Sequence, residues 1–258
     1  MAEVRFADMQ GRVALISGAA SGIGEACARQ FAAQGCRLVL LDRNGERLQT
    51  LVDELVSGKS GPVSSLVGDV TDEAVNRAAV ARCQSDFGRI DYAVNSAGIA
   101  GAPATLDETS LAEWQRVIAI NLTGVFLGLK HQLRAMKAAG RGSVVSIASG
   151  AGLIGTPHLG PYCASKHAVL GLTKTAAMEV ARSGIRVNAV LPGSTRTPLL
   201  EDSMRQGPEL EQMILNSIPC GRLGNADEIA AAVLWLCSEQ ASYVNGHSLV
   251  VDGATVCR

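Results

Sequence analysis

Tyr162 and Lys166 stand four residues apart in the stretch GPYCASKHAV, residues 160–169, which opens on the turn pair Gly160-Pro161 and continues with helical spacing. Positions i and i+4 are neighbours on a helix, so a phenol and an ammonium share one face. A free tyrosine, with a pKa of about 10, is a poor acid or base near neutrality, and moving it there takes about 3 units, or about 4 kcal/mol. A cation one turn away favours the phenolate and supplies part of that shift. The pair could therefore serve alcohol chemistry. Hydride can leave a carbinol carbon only as the hydroxyl proton departs, and that proton needs a base within hydrogen-bond reach. A surface tyrosine beside a solvated lysine would look the same in isolation, so the surrounding residues must decide.

Ser149 lies thirteen residues before Tyr162, at the end of the apolar run GSVVSIAS. Asn121 interrupts the long apolar segment WQRVIAINLTGVFLGL, where burial without partners would be costly; a polar residue bending the helix through local bonding is the plainer reading. His158 reads as a loop or substrate-lining histidine and not as a catalyst. Cys163 reads as a small packing residue, since no base is evident beside it.

Near the start, SGAASGIGEACARQ places Gly18, Gly22 and Gly24 in a G-x-x-x-G-x-G loop between an apolar run and a helical segment. Positions without Cβ permit the tight turn and let a pyrophosphate approach the amide groups of a helix N-terminus. The next apolar run ends in Asp42. A carboxylate there can accept bonds from an adenine-ribose diol and would repel a 2'-phosphate, which points to NAD. The alternative for Asp42 is a cap of the helix that begins near Asn44, and the adjacent Arg43 could hold a 2'-phosphate and so admit NADP.

The elements that must position these groups follow from the patterning. Short runs rich in Val, Ile and Leu (RVALIS, RLVLLD, PVSSLVGDV, DYAVNSAG, GSVVSIAS, IRVNAVLPG and HSLVVDGA) alternate with helical candidates at about 22–34, 44–57, 72–87, 110–139, 161–182 and 226–238. Uninterrupted apolar strands are those covered on both faces. The alternation implies an α/β fold with a doubly wound parallel sheet, Rossmann-like and three-layered, in a single domain over residues 1–258. Residues 194–224 break the pattern with too many helix breakers for one crossover. A connection of that length beyond a strand's carboxyl end suits a substrate lid.

With the glycine loop followed by NSAG at 95–98, GSVVSIAS at 142–149, YCASK at 162–166 and PGSTRTP at 192–198, the chain resembles the short-chain dehydrogenase/reductase family from about residue 11 to 254. The tail YVNGHSLVVDGA resembles that family's last strand and its approach. The resemblance implies that Tyr162 is the catalytic acid/base, Lys166 its partner and ribose ligand, Ser149 the residue that orients substrate, and Asn121 the fourth member of the set, supporting a relay towards Lys166. It implies a cofactor loop of Ser17, Gly18, Ser21, Gly22, Ile23 and Gly24, with Asp42 and Arg43 at the adenosine ribose. Asp69 and Val70 then meet the adenine, Asn95, Ala97 and Gly98 form a cofactor wall, and Pro192, Gly193, Thr195 and Thr197 meet the nicotinamide. Ser17 and Ser96 depart from the threonine and asparagine usual in the family.

The chain has 258 residues, 47% hydrophobic and 18% charged, with a net charge of −1. No basic run or acidic tail favours nucleic acid. Seven scattered cysteines without C-x-x-C argue against a disulfide framework or zinc site. The start MAEVRFADMQGRV has no apolar core of a secretory signal. Residues 142–165 carry no charged side chain, but five glycines and two prolines make them a poor membrane span. A cytoplasmic enzyme is expected, without membrane or metal. Apolar positions on more than one face of 110–139 and 161–182, with the resemblance, suggest a homotetramer.

Leu153, Ile154, His158, Leu159, Leu199, Leu200 and Met204, with Ser149 and Tyr162, outline a substrate pocket of apolar character. Arg196 and Arg205 are the charged groups there that could fix an anion. The expected activity is hydride transfer between NAD(H) and a hydrophobic or cyclic secondary alcohol or ketone. An NADP(H)-dependent ketone reductase of the same fold, or a catalytically silent cofactor-sensing protein, would share most of these features.

Overall fold

The computed structural model describes residues 6–58, 61–204 and 208–257, so that Arg205 lies outside the described residues. Seven parallel strands form one sheet in the order β3-β2-β1-β4-β5-β6-β9. These are β1 (Val13–Ser17), β2 (Arg37–Asp42), β3 (Val63–Val67), β4 (Tyr92–Asn95), β5 (Gly142–Ile147), β6 (Ile185–Pro192) and β9 (Ser248–Val251). Each coincides with an apolar run of the sequence. β1 shows why such runs are continuous and not alternating: Ala14 and Ile16 enter one core cluster while Val13 and Leu15 enter the other. Both faces are covered, so Val13 to Ile16 are apolar without a break.

α1 (Gly22–Ala33), α2 (Gly45–Ser57) and α9 (Ala226–Cys237) pack on one face around Phe31 and Leu48. α3 (Glu73–Phe87), α5 (Gly124–Ala139) and α6 (Gly160–Val180) pack on the other around Met136 and Val180. The strand order reverses between β1 and β4, and the crevice at the carboxyl ends of those strands is where such sheets bind ligands. Among the described residues no helix is long and apolar enough to cross a membrane.

The segment expected as one helix over 110–139 is α4 (Leu111–Ile118) and α5 joined by a π turn at Ala119–Thr123. The wide turn accommodates Asn121, whose side chain is turned inward and fully buried; irregularities of this kind cluster at functional sites. The long interval after β6 contains β7 (Thr195–Arg196), α7 (Pro198–Met204), α8 (Pro208–Ser217) and β8 (Gly224–Asn225). β7 and β8 pair in parallel, so the excursion ends beside its own starting point.

Candidate active site

Ser149 follows β5 and caps the short 3-10 turn Gly150–Gly152, its Oγ accepting from Ala151 N at 3.1 Å. Pro161, pre-set for a first helical turn, starts α6 and brings Tyr162 to the same end of the sheet. Tyr162 is half-buried. Burial pushes its phenol above the usual value, and a hydrogen bond with the Ser149 side chain pulls it part of the way back. Lys166, one turn on and 5% exposed, donates from Nζ to Ile147 O at 2.9 Å and lies 5.6 Å from the Tyr162 ring centroid. Its burial brings the ammonium pKa down to about 8.

Ser149, Tyr162 and Lys166 thus meet as the sequence suggested. The phenol is nevertheless raised and not lowered, because loss of solvent outweighs the hydrogen bond from Ser149.

Asn121 Oδ1 accepts from Ile99 N at 2.9 Å, and its Nδ2 donates to Ile99 O at 2.8 Å and Ser165 Oγ at 3.2 Å. Ser165 Oγ in turn donates to Tyr162 O at 2.7 Å. The amide therefore clasps the peptide that follows the NSAG segment and braces α6, which answers the desolvation cost of a buried amide. Gly98 fits between the two active-site groups: a Cβ on it would stand 3.3 Å from Asn121 Oδ1 and 3.6 Å from Lys166 Nζ. Ile99 and Ile147 carry no sequence signal of their own, since they take part through backbone atoms, and the Ser165 hydroxyl is one small polar group among many.

The glycine loop is crowded where the fold needs it bare. Gly18 has φ +68°, and a Cβ there would lie 2.6 Å from Ala97 N. A Cβ on Gly24 would lie 1.9 Å from Gly18 O, so only glycine lets α1 approach the loop this closely. Gly22 has φ +56° and would touch the Thr197 side chain at 3.3 Å, which brings the 193–197 segment against the loop. Ser21 occupies the cap position of α1 without a side-chain cap bond, leaving the first-turn amides for an anion. Ile23 is half-buried against the core cluster behind the loop.

Asp42 Oδ2 accepts from Ala20 N at 3.0 Å and Oδ1 from Asn44 N at 2.8 Å. The cap of α2 is Asn44, which accepts from Arg47 N, so Asp42 is not the helix cap; it ties the strand end to the glycine loop. Arg43 is exposed. Asp69 Oδ1 accepts from Thr71 N and Thr71 Oγ1, both at 2.8 Å, and buried Val70 packs against Gly124. Asn95 exchanges two bonds with Gln132 of α5, at 3.1 and 2.8 Å, across Gly128. Its side chain thus ties the end of β4 to α5. Ser17 is buried at the end of β1, and Ala97 backs Gly18.

Pro192 closes β6, and Gly193 N donates to Val251 O of β9 at 3.0 Å. Thr195 Oγ1 donates to Gly193 O at 3.0 Å and Thr197 Oγ1 to Thr195 O at 3.3 Å, giving this stretch its curve. The bare loop, the free helix terminus and the fixed carboxylate at the second strand's end fit a dinucleotide.

Of the expected pocket residues, Leu153 and Leu199 are 47% and 42% exposed, whereas Leu159, Leu200 and Met204 are half-buried. His158 holds a left-handed backbone at φ +66°, and its carbonyl accepts from Ala104 N at 3.1 Å. Arg196 lies 3.9 Å from Glu201.

A family model described as enoyl-(acyl carrier protein) reductase matches residues 18–254. Cyclohexanol dehydrogenase of Acinetobacter sp. (strain SE19) is 43% identical over 243 residues, covering 94% of each chain. Levodione reductase of Leifsonia aquatica is 42% identical over 255 residues, covering 96% of this chain and 94% of its own. A crystal structure of levodione reductase superposes with a TM-score of 0.92 at 40% identity, covering 96% of this chain and 98% of the other. The chain belongs to the short-chain dehydrogenase/reductase family of nicotinamide-dependent oxidoreductases.

Proposed function

We propose that this chain interconverts cyclic secondary alcohols and ketones with NAD(H), working as a single domain in which residues 194–224 form the substrate lid. The observation that carries the reading is the convergence of Ser149, Tyr162 and Lys166 at the carboxyl end of the sheet, beside the glycine loop. Nicotinamide, when bound, supplies or accepts the hydride. Ser149 Oγ holds the substrate oxygen, and the Tyr162 hydroxyl gives a proton to it or takes one from it. Lys166 places a positive charge beside the phenol. Asn121 keeps the NSAG segment and α6 in register.

Cyclic substrates are favoured by the two relatives, whose names specify a cyclohexanol and levodione, and by the apolar character of Leu153, Leu159 and Leu199, the residues expected to line the pocket. A panel of cyclohexanol, a bicyclic alcohol and an open-chain secondary alcohol, followed through nicotinamide absorbance, tests the reading. Absence of turnover with every alcohol and every corresponding ketone would remove it.

For cofactor choice, Asp42 decides. Two backbone donors fix its carboxylate, so it cannot swing away from a 2'-phosphate. Unit like charges about 4 Å apart repel by roughly 4 kcal/mol at an effective dielectric near 20. A surface guanidinium such as Arg43 returns about 1 kcal/mol or less. NAD should therefore be preferred at least about tenfold, a difference of about 1.4 kcal/mol. Asp42→Asn keeps an acceptor for the loop and removes the charge. Its ratio of kcat/KM for NADP to that for NAD should rise about tenfold or more; equal use of both cofactors by the parent would refute the assignment.

The protein is further proposed to be a cytoplasmic homotetramer. Phe126 on α5 and Met178 on α6 are 47% and 83% exposed, apolar area of the kind that self-association covers. Sedimentation at micromolar concentration should give four times the chain mass, and a stable monomer would contradict it.

A further inference from the structure

The first turn of α4 carries a carboxylate that does not bond back to the cap of its own helix. Ser110 and Glu113 have the S-x-x-E spacing in which a glutamate at the third helical position bonds back to the amide of the cap residue. α9 follows that pattern, with Glu228 Oε2 accepting from Asn225 N at 2.8 Å. In α4 only half of it forms. Ser110 Oγ accepts from Glu113 N at 3.1 Å, while Glu113 Oε1 accepts from Ala102 N at 2.7 Å, a residue eleven positions earlier. Arg116 steadies the same carboxylate through both oxygens, at 2.8 and 2.7 Å. Gly101, at φ +85°, lets the chain pass beneath: a Cβ there would lie 2.8 Å from Val117 Cγ2 and 3.0 Å from Glu113 Oε1.

The stretch gripped in this way runs along the catalytic groups. At its start, Gly98 lies beside Lys166 Nζ, and both backbone groups of Ile99 are held by Asn121. At its end, Ala104 pairs with Leu159 in a parallel bridge, three residues before Tyr162. Asn121 and the bridge secure the two ends, and Glu113 secures the middle.

We propose that Glu113 is a positioning residue of the substrate site: its bond to Ala102 N holds residues 99–104 as the fixed wall beside which a cyclic alcohol or ketone is seated next to Tyr162. This rests on the oxidoreductase reading above. A flexible wall would raise the cost of seating substrate while leaving the cofactor cradle, on the other side of Gly98, unchanged.

Two measurements test it. Amide exchange across 99–104 in the cofactor-free protein should quicken about tenfold in Glu113→Ala, the size of one charge-assisted hydrogen bond to a backbone amide, and recover in Glu113→Gln, which keeps an acceptor. In steady state, the KM for cyclohexanone should rise about tenfold in Glu113→Ala, with kcat and the KM for the nicotinamide cofactor within about twofold of the parent. Arg116→Gln, which leaves the Ala102 bond in place, should have the smaller effect in both. An active parent whose Glu113→Ala variant shows unchanged exchange, or an equal rise in both KM values, would overturn the role of Glu113 alone. An inactive parent with quickened exchange in the variant would instead overturn the oxidoreductase reading on which that role depends.

Discussion

Tyr162→Phe is expected to lower turnover by on the order of 10³-fold while cofactor affinity stays within about threefold, because the substitution removes a positioned proton carrier and keeps the ring. The ring is packed beside Lys166, 5.6 Å from its Nζ, so the lysine and the Ile147 carbonyl that it binds keep their places. Steady-state rates and a fluorescence titration of the reduced cofactor check the two halves separately. Substantial activity in the variant would refute the proposed mechanism.

The parent's pH dependence should show the same group. Burial raises the phenol's pKa, so the protonated form prevails through neutrality. Ketone reduction consumes that form and should be flat there, falling as alkali removes the proton. Alcohol oxidation needs the phenolate, and its rate should climb about tenfold per pH unit below the phenol's pKa. Identical profiles in the two directions would count against Tyr162 as the group that titrates.

The second large effect is expected from Gly24→Ala. The added methyl would meet Gly18 O at 1.9 Å and Gly18 C at 2.7 Å, both of them backbone atoms that no rotamer change can clear. α1 must then shift away from the loop, carrying its free amides out of reach of a pyrophosphate. Cofactor affinity should fall by about a hundredfold or more, equivalent to about 2.7 kcal/mol, and the protein should lose about 1–3 kcal/mol of stability through overpacking. Gly88→Ala is the control. Its φ of +75° makes alanine strained, but nothing lies within 4 Å of the added methyl, so stability should drop by about 1 kcal/mol with cofactor affinity unchanged. Equal titrations for Gly24→Ala and the parent would mean that the loop does not hold the cofactor.

Much of this fold was legible because parallel strands covered on both faces leave an unbroken apolar record, and β1, β2, β5 and β6 lie within a residue or two of such runs. The glycine loop was legible for a similar reason: crowding excludes Cβ, and the exclusion is visible as glycine. Partners across the fold were not. Nothing local distinguishes Asn121 clasping Ile99 from an asparagine bending its own helix, or marks Gln132 as the counterpart of Asn95 thirty-seven residues away. Glu113 was concealed further, since its spacing from Ser110 describes a bond that the structure replaces with one to Ala102. The π turn escaped because no glycine or proline interrupts Ala119–Thr123, and the segment reads as a continuation of the helices on either side.

The seam between β6 and β9 has a consequence for how the molecule is made. Gly193 is seated by Val251 O, and its Cα packs so closely on Asp252 that a Cβ would come within 2.7 Å of that residue's Cα. A chain emerging from the ribosome can assemble β1, β2, β4 and β5 early, but it cannot seat Gly193, where the 193–197 stretch begins, until the last strand of the sheet has been synthesised and paired. Parallel pairing between distant segments is also slow to form. If Gly193 to Thr197 meet the nicotinamide, as the family resemblance implies, competence to bind it should be acquired late, with sheet completion, and partly built chains should be unable to sequester the cofactor.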